Sequence, residues 1–351
     1  MEFTKGHGTG NDFVILPDPD GQLDLTPEQV AAICDRRRGI GADGVLRVVR
    51  SAKHPDAAGQ AGEAEWFMDY RNADGSVAEM CGNGARVFVH YLITTGLATP
   101  TSSAATPTSS AASASTAPAS AAAPTSVAPT AAVPPGSASD GSLLSGSAPD
   151  GSLLPVPGSA VDGSLLPVSG SGAGRSLLLP VATRAGVVRA RIDGETIAVE
   201  LRRPRLYDSG TATLGGLTLP GTAVDVGNPH LVCPLPAGLD LAALDLTHPP
   251  GVDPALFPAG VNVEFTTPGD PVDGTDAQVR MRVHERGSAE TMSCGTGACA
   301  VAAVALRDTG RDTGTVTVDV PGGRLTVTVT PDSCWLAGPA TLVATGTLLH
   351  P

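Results

Sequence analysis

The chain has 351 residues, six cysteines and a net charge of −13. Its length and apolar content suit one large or two medium domains. There is no basic stripe, so neither nucleic acid nor an anionic membrane is an expected partner, and no apolar run reaches the roughly 18 residues a membrane span needs.

The opening stretch "MEFTKGHGTGNDFVIL" has no basic segment followed by an apolar one. A secretory leader is therefore not expected, and the reading is of a soluble cytoplasmic chain. Further on, Thr26-Pro27-Glu28-Gln29 offers an N-cap, a proline at the first helical position and a Gln three residues later. This predicts a helix running to about Arg37 and ending near Gly39. "EMCGNGARVFVHYL", Glu79 to Leu92, then sets a cysteine before two glycines at the head of a nearly continuous apolar run.

Residues 100–174 are mostly Ala, Ser, Pro, Thr and Gly, with no Lys, Arg or aromatic residue. Their only charges, Asp140, Asp150 and Asp162, each open a copy of "DGSLL". Such composition cannot bury enough apolar surface to offset chain entropy, so the segment reads as a disordered insertion. "VVRARIDGETIAVEL" follows as two alternating strands around Asp193-Gly194, a hairpin signal. "MSCGTGACAVAAVAL", Met292 to Leu306, repeats the earlier pattern of Cys-Gly-x-Gly-Ala plus an apolar segment. "TVTVDVPGGRLTVTVTP" predicts a second hairpin, turning at Pro321-Gly322-Gly323.

Hairpins and helices without regular β-α-β alternation argue for an α+β fold. Segments apolar on every face read as buried helices. The duplication predicts two pseudo-symmetric domains, each an antiparallel sheet wrapped around a central helix, with the active site in the cleft between them. The expected division is 1–99 for the first half, 100–174 for the insertion and 175–205 for the end of the first half. The second half is 206–340, and 341–351 is a final strand returning to the first half.

The chemistry follows from a thiol at a helix mouth. Glycines let the backbone turn there, and the free N–H groups and helix dipole favour an anion. Both effects lower a thiol's pKa, and the same N–H groups suit a substrate carboxylate. Two such thiols facing across a cleft can remove a proton from one side of a carbon and return one on the other, with no cofactor. One must be thiolate while the other is thiol, so the pair titrates as a unit. Either cysteine alone would read as packing; the duplication carries the functional reading. Cys34, Cys233, Cys299 and Cys334 read as core, and the absence of any C-x-x-C spacing argues against a metal site.

At these residues the chain resembles the diaminopimelate epimerase family. The resemblance rests on "FTKGHGTGNDFVI", "RNADGSVAEMCGNGARVF", "DVGNPHLV", "GVNVEF" and "VHERGSAETMSCGTGACA". It implies a homodimeric, cytoplasmic isomerase that needs no pyridoxal phosphate or other cofactor. The implied reaction converts LL-2,6-diaminopimelate to meso-diaminopimelate for lysine and peptidoglycan precursor synthesis. By resemblance, Cys81 and Cys294 are the acid/base thiols, and His230 with Glu285 orients and tunes them. Asn11, Asn72, Asn228, Asn262 and Glu285 match substrate contacts. Gly82, Asn83, Gly295 and Thr296 match the groups that hold the reacting carboxylate, and Arg286 matches the residue at the distal end. Gly44 stands where the family can carry a substrate-contacting Gln. Two other readings stay open: a proline or hydroxyproline racemase-type isomerase, and a non-catalytic anion-binding module.

Overall fold

The computed structural model describes residues 1–102, 177–194 and 196–349. The expected insertion at 100–174 lies outside them apart from its first three residues.

In chain order the first part comprises β1 (Glu2–Gly8), β2 (Asn11–Pro17), α1 (Pro27–Cys34), β3 (Gly44–Arg50), β4 (Trp66–Asn72) and α2 (Gly82–Thr94). It continues with β5 (Thr101–Ser102), β6 (Leu177–Thr183), β7 (Gly186–Asp193) and β8 (Thr196–Arg202). The second part has β9 (Arg205–Leu214), β10 (Leu217–Asp225), β11 (Pro229–Pro234), β12 (Gly251–Val252), β13 (Asn262–Pro268) and β14 (Ala277–Glu285). It ends with β15 (Ala289–Thr291), α3 (Gly295–Asp308), β16 (Gly314–Val320), β17 (Gly323–Val329), β18 (Ser333–Gly338) and β19 (Thr341–Thr347).

Strand pairing shows the duplication directly. The first half runs β8-β7-β6-β4-β3-β2-β1-β19, antiparallel except at β6–β4 and β3–β2. The second runs β18-β17-β16-β14-β13-β11-β10-β9, antiparallel except at β16–β14 and β13–β11. The two orders match step for step. Each helix that follows a Cys-Gly-x-Gly motif is the crossover of a parallel pair, α2 between β4 and β6 and α3 between β14 and β16, as a parallel pair requires. The halves join edge to edge through antiparallel β8–β18, with Trp335 opposite Glu200. In the first half β19 fills the place that β9 fills in the second.

Local sequence explains the local turns. Gly194 takes φ +58 between β7 and β8, where a side chain would be disfavoured. Val320 pairs with Gly323, leaving Pro321-Gly322 as the two-residue turn between β16 and β17. The α1 cap is a full capping box between Thr26 and Gln29. That helix stops at Cys34, earlier than the expected Arg37, because Asp35 Oδ1 accepts from the backbone N–H of Arg37 and Arg38 and turns the chain away.

Both central helices are buried on nearly all faces. Val87, Phe88, Val89 and Leu92 of α2 share one core with Ala298, Ala300, Val301 and Val304 of α3 and the inner faces of both sheets. Each large side chain of this kind contributes about 1.5–3 kcal/mol by leaving water. The many alanines of α3 let the second sheet close tightly around it.

Candidate active site

The site grows from the two helix N-termini. Cys81 and Cys294 are the N-caps of α2 and α3, each in extended backbone conformation. Each sulfur accepts the N–H three residues on: Gly84 N to Cys81 Sγ at 3.4 Å, and Gly297 N to Cys294 Sγ at 3.4 Å. An N-cap residue commonly offers an oxygen to this orphan N–H; here sulfur does it twice. The mouths face each other: a Cβ built on Gly295 would lie 3.5 Å from Gly82 Cα. A side chain at either position would press on the Leu336 Cδ2 methyl, 2.9 Å from each built Cβ.

A polar seam joins the halves at this junction. Cys81 Sγ donates to Asn11 Oδ1 at 3.6 Å. Asn83 Nδ2 donates to the same oxygen at 3.3 Å and to Ser293 O at 3.1 Å. Thr9 Oγ1 donates to Ser293 Oγ at 2.8 Å. Asn11 is itself held by Asp43, whose Oδ2 accepts from Asn11 Nδ2 at 2.8 Å. Cys294 Sγ pairs with Thr296 Oγ1 at 3.6 Å. The structure thus brings together Asn11, Cys81, Gly82, Asn83, Cys294, Gly295 and Thr296.

Below α3 sits a fully buried pair, His230 and Glu264, with Nδ1 and Oε1 2.6 Å apart. The other ring nitrogen faces Asn228 Oδ1 at 3.1 Å. His230, expected to tune the thiols together with Glu285, hydrogen-bonds Glu264, because β11 and β13 are parallel neighbours that set His230 opposite Asn262, two residues from Glu264, and its charge also acts on Glu285. Glu264 was missed, although a carboxylate inside the apolar run "NVEF" was a legible signal. Its Oε1 lies against the first turn of α3, 2.6 Å from a Cβ built on Gly297. Burial raises its pKa, opposed by His230.

Glu285 lies at the end of β14 and accepts a hydrogen bond from Thr291 Oγ1. Burial raises its pKa, while bonds from Thr291 and Cys294 pull the other way. Its charge acts on both thiols. Tyr70, raised by burial and by the charges of Cys81 and Glu285, is a further neighbour that the sequence did not single out.

The electrostatics correct one expectation. Helix-mouth thiols were expected to be acidic, yet burial pushes Cys81 up to about 11 and outweighs the N–H groups of Gly84 and Asn83. Cys294 is raised too, by burial first and then by Glu285 and Glu264. Both sulfurs are therefore held above the ordinary thiol range.

Three expected contacts stand apart from the thiols. Asn262 Oδ1 accepts from Arg286 N at 2.9 Å, and Arg286 Nη1 donates to Ala259 O at 2.9 Å, with the side chain exposed. Asn72 donates to Ser76 Oγ at 2.9 Å at the end of β4, paired with Gly44. A Cβ at Gly44 would meet Arg71 O at 2.5 Å and the Tyr70 ring at 2.7 Å, so no side chain fits there. A concavity lined by Lys5, His7, Gly10, Asp12, Arg36 and Met292 opens beside the Asn11 turn and includes neither thiol.

Comparison with known proteins follows the same residues. The family profile described as "Diaminopimelate epimerase" matches residues 3–110 and 222–343. A protein of Mycolicibacterium smegmatis with that name is 43% identical over 357 residues, covering 99% of this chain and 97% of its own. A phenazine biosynthesis protein of the PhzF family from Bacillus anthracis superposes with a TM-score of 0.60 at 16% identity, covering 100% of this chain and 99% of that one. A hydroxyproline epimerase from Agrobacterium vitis gives a TM-score of 0.50 at 14% identity, covering 99% of this chain and 90% of that one. At such identities the two structures speak to the fold alone.

Proposed function

The chain belongs to the diaminopimelate epimerase family, and from that premise we propose that it converts LL-2,6-diaminopimelate to meso-diaminopimelate with Cys81 and Cys294 as its two acid/base thiols. The observation that carries this reading is the pair of sulfurs in the same N-cap geometry on two facing helix mouths.

In this reading the reacting carboxylate lies between the mouths. It accepts from the first-turn N–H groups of Gly82, Asn83, Gly295 and Thr296, which have no partner inside their helices. One sulfur, as thiolate, takes the proton from the α-carbon: a C–H bond breaks and an S–H bond forms. The other thiol gives its proton to the opposite face, and its own sulfur is left as thiolate. The centre inverts, no net proton is consumed, and the two sulfurs have exchanged roles. Water excluded from this junction strengthens every charge interaction within it.

The remaining roles follow. His230, fixed by Glu264 and Asn228, and Glu285 set the electrostatics under the thiols. Asn11 orients Cys81. Asn72, Asn228, Asn262, Glu285 and Arg286 contact the substrate, with Arg286 taking the distal carboxylate. No cofactor takes part, and the protein acts in the cytoplasm as a homodimer on a small molecule. A proline-type racemase gains nothing from the fold likeness, since a monocarboxylate leaves Arg286 without a partner.

The test is proton NMR of reduced protein with LL-diaminopimelate in D2O. Loss of the α-proton signal with appearance of the meso form is expected. Cys81→Ala and Cys294→Ala should each cost about 10²–10⁴-fold in rate. No exchange and no meso product from folded, reduced protein would sink the reading.

A further inference from the structure

Arg86 lies one turn inside α2 and is wholly buried, at 0% exposed. Among the described residues the other deeply buried guanidinium, Arg47, meets Asp18 at 2.6 Å and Asp69 at 3.3 Å. Arg86 meets no carboxylate among the described residues. Its two hydrogen bonds go to neutral oxygens, Asn83 Oδ1 at 2.9 Å and Gly82 O at 3.4 Å, and its Nε–H has no partner among the described residues. A guanidinium carries five donors and no acceptor, so most of its capacity is unused. Burial lowers it to about 10, which still leaves it charged at neutral pH. A buried cation without an anion is costly. The backbone closes over it: Cβ atoms built on Gly8 and Gly338 would lie 3.2 and 3.3 Å from Nη2.

The groups whose charge acts on Arg86 are two thiols, Cys81 of its own helix and Cys299 of α3. Its hydrogen bonds also give the junction a direction. Arg86 takes the Asn83 oxygen, which turns the Asn83 amide nitrogen outward to Ser293 and Asn11. Asn11 Oδ1, aimed at the junction by the Asn11–Asp43 hydrogen bond, accepts from both Asn83 Nδ2 and Cys81 Sγ.

We propose that Arg86 is the fixed counter-charge of the thiolate state, a positioning residue that orients Asn83 and lets a mouth sulfur, Cys81 foremost, ionise in an otherwise dry site. It touches no substrate and acts through Asn83, Gly82 and its field. The inference rests on the two-thiol reading of the site. The charges that face Cys81 and oppose its ionisation are Glu285 from β14 and Tyr70 from β4 when ionised; Glu264 from β13 acts likewise on Cys294. Among the described residues, Arg86 is the cation that acts against them at Cys81.

The experiment follows thiolate formation in the substrate-free protein by ultraviolet absorbance and by the pH dependence of mapped Cys81 alkylation. It compares the parent with Arg86→Met and Arg86→Lys. Loss of the cation that acts on Cys81 should raise the thiolate onset in Arg86→Met by about 1–3 pH units. The rising limb of kcat against pH should move with it, and KM should change little. Arg86→Lys, which keeps the charge, should hold the onset within about one unit of the parent. A folded Arg86→Met chain that titrates as the parent does overturns the proposal, because a packing role lowers the melting temperature and leaves the titration unmoved. If Arg86→Met does not fold, an onset raised by more than about one unit in Arg86→Lys overturns it instead. The titration needs no turnover, so it stays readable even if the two cysteine variants retain α-proton exchange and the two-thiol reading fails.

Discussion

Gly295→Ala tests how closely the two helix mouths must approach. The new Cβ would lie 2.9 Å from the Leu336 Cδ2 methyl, about 0.6 Å inside ordinary carbon contact at ~3.5 Å. Leu336 is fully buried, so moving its methyl presses on its neighbours in the core. Retreat the other way is blocked by Asn83 Oδ1 and Gly82 Cα, both 3.5 Å off. Overpacking of this kind costs about 1–3 kcal/mol, which for a chain of this size lowers the melting temperature by roughly 2–5 °C. The mouths should part by about half an ångström. Since a 1 Å misplacement can cost about 10²-fold, kcat should fall about tenfold. The assay is α-proton exchange alongside a thermal melt. Gly59→Ala, with nothing within 4 Å of its new Cβ, is the control and should change neither. Combining Gly295→Ala with Leu336→Val should recover part of both losses, a coupling that a double-mutant cycle reads directly. An unchanged melt and a rate within about twofold of the parent in Gly295→Ala would refute the close-approach argument.

Two further outcomes are expected. Burial raises Cys34 and Cys81 to about 11 and Cys233 to about 12 from an ordinary 9.0, so the folded chain holds protons that the unfolded chain releases. The associated stability is fully present below pH 9 and is lost as pH rises through about 11 to 12; calorimetry under reducing conditions should show the melting temperature falling over that range, and a flat profile would contradict it. Ser102 and Leu177 are cross-strand partners on β5 and β6, so replacing residues 103–176 with a two-residue turn should keep kcat within about threefold, and a larger loss in folded protein would give the segment a part in the reaction.

What the sequence revealed depended on how local the cause was. The Thr26 cap, the turn at Gly194 and the turn at Pro321-Gly322 are set by a few adjacent residues, and all were legible. So were α2 and α3, because an apolar run of that length between glycines has few other solutions. The end of α1 was misjudged by three residues, since one Asp35 side chain drawing in two N–H groups overrode the periodicity. The parallel pairs β2–β3, β4–β6, β11–β13 and β14–β16 carry no local mark, because alternation says which face is buried and nothing about which strand lies alongside. Within the site, the two cysteines were legible through the repeated motif, and Asn11 only through the family resemblance of "GHGTGND". The partner of His230 was not, because Glu264 reaches it through a strand pairing. Glu264 and Arg86 share one signature that now stands out: a single charge set inside a run otherwise fit for the core.

The placement of β19 bears on how the protein is made. Strand β1 begins at residue 2, and the strand that covers its outer edge spans residues 341–347. A ribosome therefore produces the whole second half, with its own outer strand β9 already in hand, while β1 still offers a bare row of N–H and C=O groups. The later half has every strand it needs first, and the earlier half is completed last. A nascent chain halted before residue 341 would expose a sticky edge beside the turn that carries Asn11, inviting capture by chaperones or by another copy.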